Sequence, residues 1–581
     1  MAELVAEVRP GAYFDSVVLM QLQRALVALP GVQDAGVVMA TPVNLELLEA
    51  SHLRPDVQAG PDDLLLVVQA EDEAAGRSAL SQVDELLARR RAAETSAFRP
   101  KSLESAIRGL PEAQWVLVSV PGRFAAGVAQ EALRLGKSVF LYSDNVPLQD
   151  EVALKRAALG RGLLVMGPDC GTAIVGGVGF GFANRVRRGS IGLVGASGTG
   201  LQAVTSAIHQ LGGGVSQALG TGSHDLTADV GAVTARQALD LLRRDPETAV
   251  VILISKPPEP SVSGPLLAAA QSIGKPVVVD LIGLASGATR LGNLHFAASL
   301  EEAARLAVEL ARAPSPAPGA PAAHGYLRGL FSGGTLAYES VLALQDVLHP
   351  IATNVPLREG QQLGDPLRSR GHTLLDLGAD VFTVGRLHPM IDNDLRIRRL
   401  RQEAQGPEAG LFLLDVVLGQ GAHSDPASEL APAIAEVTSS GRPVILVVVG
   451  TEDDPQGMAS QIERLQAAGA VVHTSLGAAL DEVVRRLAPA TPALPFEVPL
   501  GLLGDQPAAI NVGLEAFHDS LLAQGSRSVH VDWRPPAGGD DRLMEILAKM
   551  KAQPPAPSPP PPLPPGGKGP RGEGQGEQDG H

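Results

Sequence analysis

The chain has 581 residues, with 47 Lys and Arg against 63 Asp and Glu, for a formal net charge of −16. With 45% hydrophobic and only 3% aromatic residues, it can fill several domain cores but lacks the basic field and stacking rings of a nucleic-acid binder. Its single cysteine excludes an internal disulfide or a multi-cysteine metal site and suits a reducing compartment. The acidic start MAELVAEVRPG is unlike a basic signal peptide, and no uncharged apolar run reaches the length of a membrane span. The expectation is a cytoplasmic protein without membrane contact and with no metal site.

Residues 1–97 alternate strand and helix patterns: LVAEV, then the helical spacing of YFDSVVLMQLQRALVAL, then VQDAGVVMA, DDLLLVVQA and a charged helix over 75–92. This order predicts a ferredoxin-like unit, with Arg89, Arg90 and Arg91 as a solvated helix end. From 98 to 186, WVLVSV, KSVFLY and GLLVMG alternate with amphipathic stretches, as in a partial Rossmann-like domain with a parallel sheet. Ligands of such sheets sit at the carboxyl ends of the strands, which singles out loops 120–122, 143–145 and 167–171. Cys170, in the last of these, has no sequence partner and reads as a small buried residue.

Two further α/β units follow, at 187–311 and 325–490, joined by a Pro/Ala linker over 312–324. A segment at 491–550 comes next. The tail, 551–581, holds nine prolines between Pro554 and Pro565 and reads as polyproline II or disorder. The two large units are alike. In one, IGLVG leads through Gly195, Ser197, Gly198 and Thr199 into a helix. In the other, YLRGLF leads through Ser332, Gly333, Gly334 and Thr335 into a helix. Later, GKPVVVDLIG parallels GRPVILVVVG. A glycine-rich strand-to-helix turn brings unpaired N–H groups and the positive helix end to an anion, and it serves equally as a Ser- or Thr-capped turn. Neither loop holds the Lys of a Walker A or a G-x-G-x-x-G.

At GPDCGTA, GLVGASGTG, GLFSGGTLAYES and LDLGADVFTVGRLHPMID the chain resembles the FdrA family, relatives of the succinyl-CoA synthetases. The resemblance covers roughly 98–490 and implies two flavodoxin-like domains of the synthetase type, 187–311 like the α subunit's second domain and 325–490 like the β subunit's carboxyl domain. The helices from Leu201 and Ala337 would then face a shared phosphate-sized site. The chain departs from the synthetases in three ways. SGATRLGNLHFAAS stands where the phosphohistidine motif is expected, with His295 the one nearby histidine. Lys256 stands where that histidine's glutamate partner is expected. Neither an ATP-grasp domain nor a Gly-rich first βα loop for coenzyme A is found, the ferredoxin-like unit standing in that loop's place.

The remaining candidates lie at strand ends. Lys256 is a phosphate-binding cation or an exposed lysine. Arg386, with His388 and Asp392, is placed to clamp a substrate carboxylate. Asp415 and His423, and His224 with Asp225, are acid–base candidates. The resemblance implies a subunit of a carbamoyl- or acyl-phosphate transferase, converting oxalurate and phosphate to oxamate and carbamoyl phosphate in purine (allantoin) breakdown. Phosphate is then a substrate, no cofactor is assigned, and separately encoded enzyme subunits are the partners. The stretch AINVGLEAFHDSLLAQGSRSVHVDWRPPAGGDD, with Trp533, resembles a segment of such partners and reads as a contact element or a β-α-β cap. The alternatives are an acyl-CoA synthetase taking ATP from another chain, or a non-catalytic scaffold.

Overall fold

The computed structural model describes residues 3–12, 16–61, 63–87, 99–283, 287–313, 323–487 and 494–535. The Arg89–Arg91 helix end, most of the Pro/Ala linker and the Pro-rich tail lie outside them. The chain divides into an N-terminal unit, including Gln23–Val83, and a body, Asp84–Trp533.

The N-terminal unit is the ferredoxin-like one the sequence predicts. Strands Glu3–Arg9, Val32–Met39 and Leu64–Ala70 form an antiparallel sheet with the third in the middle. That central strand is apolar throughout LLLVV and fully buried. A helix the pattern did not announce, Pro42–Ala50, is started by Thr41, whose side chain accepts from the Asn44 N–H.

The body holds three sheets. The first is parallel and five-stranded, with Trp115–Val118 at its centre. Ser138–Leu141 and Val165–Met166 extend it one way. Ala509–Val512 and Ser528–Val531, joined by the helix Glu515–Ala523, extend it the other way. Residues 494–535 of the 491–550 segment therefore complete this Rossmann-like sheet, and the place expected to be taken by the ferredoxin-like unit is filled from the carboxyl end of the body. Trp115 is wholly buried and donates its indole N–H to the Leu502 carbonyl at 3.2 Å.

The second sheet has eight strands. Its parallel centre is Val277–Leu281, Val250–Ser255, Arg188–Gly195 and Val215–Gly220. Two strands read as the end of the 98–186 domain, Thr172–Val175 and Val178–Gly181, instead form its antiparallel edge. The third sheet is six-stranded and parallel, with Tyr326–Phe331 between His372–Asp376 and Ala409–Val417. VVILIS and VILVVV are apolar without alternation because helices cover both faces. The second and third sheets' units join through helix Leu476–Arg486: Asp481 accepts from the Gly292 N–H at 2.7 Å and Val484 from the Gln271 amide at 2.6 Å. Among the described residues, no helix is long and apolar enough to cross a membrane.

Candidate functional site

Register brings three loops to one rim of the second sheet. Gly195 lies beside Gly220 on one neighbouring strand and Ile254 on the other, so Ser197, Thr221 and Lys256 emerge together. The antiparallel strand begins at this rim too: a side chain at Gly220 would meet the Thr172 carbonyl and the Cys170 sulfur. Cys170 fills the space beneath, and burial pushes its thiol up to about 12, which keeps it protonated and inert.

Ser197 is the N-cap of helix Gly198–Gln210, its hydroxyl accepting from the Gly200 N–H at 3.1 Å. The N–H groups of Gly198 and Thr199 have no acceptor among the described residues. Directly opposite, the position a Gly198 side chain would take is 3.6 Å from Thr172 Oγ1 and 3.9 Å from Gly171 N. Thr172 is 1% exposed and its hydroxyl has no partner. A buried unpaired hydroxyl costs about 1–3 kcal/mol, a penalty an anion bridging it to the helix start would remove. Lys256 is exposed on the adjacent loop, and its ammonium makes no ion pair among the described residues.

His224 and Asp225 leave the same rim but part company. Asp225 is wholly buried and structural: it pairs with Lys155 at 2.8 Å and accepts from Thr234 N and Ala235 N, capping helix Val233–Arg244. The His224 ring is half exposed and sits 3.1 Å from Glu151, a buried carboxylate absent from the sequence candidates.

The third sheet's rim is different, despite the like sequence. Ser332 is buried, and Asp415 takes both its backbone N–H and its hydroxyl at 2.7 Å. Arg396, 2% exposed, completes the cluster at 3.1 Å from Asp415. Asp415 is therefore a structural acid rather than a catalytic one, and Ser332 offers nothing to a phosphate. Gly333 and Gly334 do open a helix, Gly334–Leu344, with Thr335 exposed. A side chain at Gly334, however, would lie 2.8 Å from Asp376 Oδ2, so the protein's own carboxylate sits at this helix start. Burial holds the Asp376 carboxyl above its usual range, with Asp415 adding to the effect, while the Gly378 N–H and His388 act against it. The loop signature gave no hint of Asp376.

His388 Nε2 lies against Gly378, 2.7 Å from where a side chain would begin, and its Nδ1 accepts from the Met390 N–H. Asp392 accepts from the Asp394 N–H and Arg386 is exposed, so no clamp is assembled. His423 is not a free acid–base: Nδ1 accepts from the Asp425 N–H and Nε2 is 3.0 Å from Glu429. His295 lies on strand Leu294–Phe296, between the edge strand Arg290–Leu291 and Val277–Leu281, opposite Val278, with Arg290 and Asp481 as its charged neighbours. No hydrogen bond or ion pair among the described residues links the Ser197 and Ser332 loops.

The chain is 38% identical over 491 residues to YahF of Escherichia coli (strain K12), described as uncharacterized, covering 81% of this chain and 95% of that one. It belongs to the YahF family. Within it, residues 1–102 match the model for the AllF heavy metal-associated domain, and residues 330–485 match the CoA-ligase model. Over 158 residues the YahF-like chain is 28% identical to SauD, an ADP-forming sulfoacetate-CoA ligase subunit of Bilophila wadsworthia, covering 26% of this chain and 53% of that one. Over 146 residues it is 30% identical to the Aquifex aeolicus succinate–CoA ligase α subunit, covering 24% and 47%. An acetyl-coenzyme A synthetase of Ca. Korarchaeum cryptofilum aligns over 66% of this chain and 84% of that one, with 17% identity and a TM-score of 0.29.

Two groups implied by these relatives do not fit the residues present. Residues 1–102 contain no cysteine and one histidine, His52, and no His/Cys/Asp/Glu metal-ligating cluster occurs among the described residues, so this YahF-family member lacks the thiolate donors of a soft-metal site. Coenzyme A needs an open glycine-rich helix start where the strand order reverses. Here that point lies between Trp115–Val118 and Ala509–Val512. Leu514 N–H is bonded to Ser119 Oγ at 2.7 Å, Ser119 fills the space beside Gly513, and Glu515, paired with Arg99, occupies the helix's first turn.

Proposed function

We propose that this chain is the phosphate-binding subunit of a cytoplasmic carbamoyl- or acyl-phosphate transferase, acting on oxalurate and phosphate with separately encoded partner subunits. The observation that carries this reading is the open start of the Ser197 helix facing the buried, unpartnered Thr172 hydroxyl. Inorganic phosphate there would accept from Gly198 N, Thr199 N and Thr172 Oγ1, with Lys256 as countercharge. A phosphate oxygen attacks the carbamoyl carbon, the carbon–nitrogen bond breaks, and the proton of the phosphate hydroxyl passes to the departing amide nitrogen. The products are carbamoyl phosphate and oxamate, with no external energy source and no thiol.

The kinship with CoA-ligase subunits supports a second reading, an acyl-CoA ligase supplied with ATP by another chain. One experiment separates them. The purified chain, alone and with its genomic neighbours' products, is given carbamoyl phosphate and oxamate, and phosphate release is followed. Release that needs the partners and falls in Thr172→Val supports the transferase. No release, together with an acid-labile phosphoprotein formed from ATP and saturable coenzyme A binding, would establish the ligase instead.

A further inference from the structure

We propose that the cavity at the carboxyl end of strand Val277–Leu281 is a binding site for a neutral compound with a terminal carboxamide or ureide group, its NH2 donating to Asp280 and its carbonyl accepting from the start of helix Leu300–Arg312. The proposal does not rest on the phosphate reading, because neither Ser197 nor Thr172 lines this cavity.

Register and face place Asp280. It lies beside Ile254 on the neighbouring strand. Val278, two residues earlier on the same face, packs with Leu201 and Val204 of helix Gly198–Gln210 and with Ala303 and Ala304 of helix Leu300–Arg312. An apolar residue would continue that pattern at position 280. The sequence has an aspartate there instead, 3% exposed. It makes no hydrogen bond or ion pair among the described residues, and its Oδ2 is closed off from solvent. The buried Asp225 and Asp415, by contrast, are fully engaged. An unpartnered buried carboxyl costs the fold stability, so its place is explained by a ligand rather than by packing.

The chain leaves a space for one. Asp280 lines a cavity of about 500 Å³, within the range of about 300–1,000 Å³ of small-molecule sites. Its walls are the aliphatic side chains of Ala203, Leu281, Ile282, Ala297 and Leu300. Two backbone bonds fix those walls: the Ala297 N–H donates to the Val279 carbonyl and the Ile282 N–H to the Ser255 carbonyl, each at 2.9 Å. The start of helix Leu300–Arg312 forms another side. There Ser299 Oγ accepts the Glu302 N–H at 3.2 Å, and the Glu302 carboxylate accepts the Ala298 N–H at 2.9 Å. The Leu300 and Glu301 N–H groups have no acceptor among the described residues, as befits the first turn of a helix.

These groups select the ligand. An anion could take the two helix N–H groups, but it would leave Asp280 without a donor and meet it, Glu301 and Glu302 as like charges. A cation could pair with Asp280 but has no lone pair for the helix N–H groups. A terminal carboxamide carries both halves on one carbon, NH2 donors for the carboxyl and a carbonyl acceptor for the helix start. The aliphatic walls take the rest of the molecule.

The test uses the full-length chain and three probes of one skeleton at pH 7.5: benzamide, benzoate and benzamidine, which are neutral, anionic and cationic. Titration followed by saturation-transfer NMR reads their affinities. Benzamide should bind at least tenfold more tightly than either of the others. Asp280→Leu should lower benzamide affinity by about 10- to 150-fold, the worth of a hydrogen bond to a charged group, with a melting temperature equal to or above the parent's. Asp280→Asn keeps a carbonyl acceptor and should fall between the two. Benzoate or benzamidine binding as tightly as benzamide overturns the proposal, and the wild-type chain alone decides this even if Asp280→Leu fails to fold. Benzamide binding that Asp280→Leu leaves unchanged, or no binding of any probe, overturns it as well. Each of these outcomes leaves the Ser197 phosphate site standing.

Discussion

Ser332 gives both its backbone N–H and its hydroxyl to Asp415, each at 2.7 Å, whereas Ser197, its counterpart in the repeat, spends its hydroxyl on capping its own helix. One hydrogen-bond choice separates two loops that look alike in sequence. Asp415 and Asp376 put negative charge at the start of the second helix, and an approaching phosphate would meet repulsion there. The first loop has free N–H groups, with the unpaired Thr172 hydroxyl beside it and Lys256 on the adjacent loop. The duplication has thus kept one helix start open and sealed the other.

Breaking the Ser332–Asp415–Arg396 cluster should cost stability and leave phosphate binding intact. Asp415→Asn strands the buried Arg396 guanidinium and should destabilise the fold by about 3–5 kcal/mol. Ser332→Ala removes one hydrogen bond and should cost about 1–2 kcal/mol. Urea titration measures both. An Asp415→Asn protein as stable as wild type would contradict the structural role.

Thr172→Val tests the other loop with the opposite signature. It removes a buried hydroxyl with no partner, so the melting temperature should hold or rise slightly. Phosphate affinity should fall by about 10- to 150-fold, the worth of one hydrogen bond to an anion. If phosphate binds equally well to the variant, Thr172 does not face the ligand.

Both loops, the repeat and the order of units were legible because strand, glycine turn and helix leave local signals of fixed period. The partners were not legible. Lys155 and Asp225 are 70 residues apart, and Ser332 and Asp415 are 83 apart. Only folding decides which carboxylate meets which cation. Trp115 pairing with Ala509 is harder still, since a parallel strand carries no turn to announce its neighbour. That is why residues 491–550 read as a contact element or a β-α-β cap from sequence, yet Ala509–Val512 and Ser528–Val531 complete a sheet.

The carboxyl-terminal strands should therefore be essential to the body. A chain ending at residue 487 loses the strand beside Trp115–Val118 and the Leu502 carbonyl that receives the Trp115 indole N–H. It leaves an unpaired apolar strand edge, which should aggregate. The soluble fraction and near-ultraviolet dichroism of the truncated protein, with and without co-expressed 494–535, would show this. A soluble truncation with the parent's melting temperature would contradict it.

Acid should weaken the fold before its carboxylates protonate. His372 Nδ1 accepts the Leu327 N–H at 3.1 Å and therefore must be unprotonated, and burial with Arg328 nearby lowers its pKa to about 4. His530 Nδ1 likewise accepts from the Asn511 amide, and burial lowers its pKa too. A histidine whose folded pKa lies below its unfolded value of about 6.5 binds more protons when unfolded. Its contribution is therefore complete above about pH 6.5 and is lost as the pH falls toward 4, by up to about 3 kcal/mol for His372. Asp376 acts in the opposite sense, because its raised carboxyl pKa favours the folded state on acidification. With the two histidines outweighing it, the urea midpoint should drop between pH 7.5 and pH 5. His372→Gln keeps an acceptor for Leu327 N–H without a titrating ring, and should make that drop shallower. A midpoint equal at the two pH values, or a drop unaltered in the variant, would show that the buried ring is not what acid attacks.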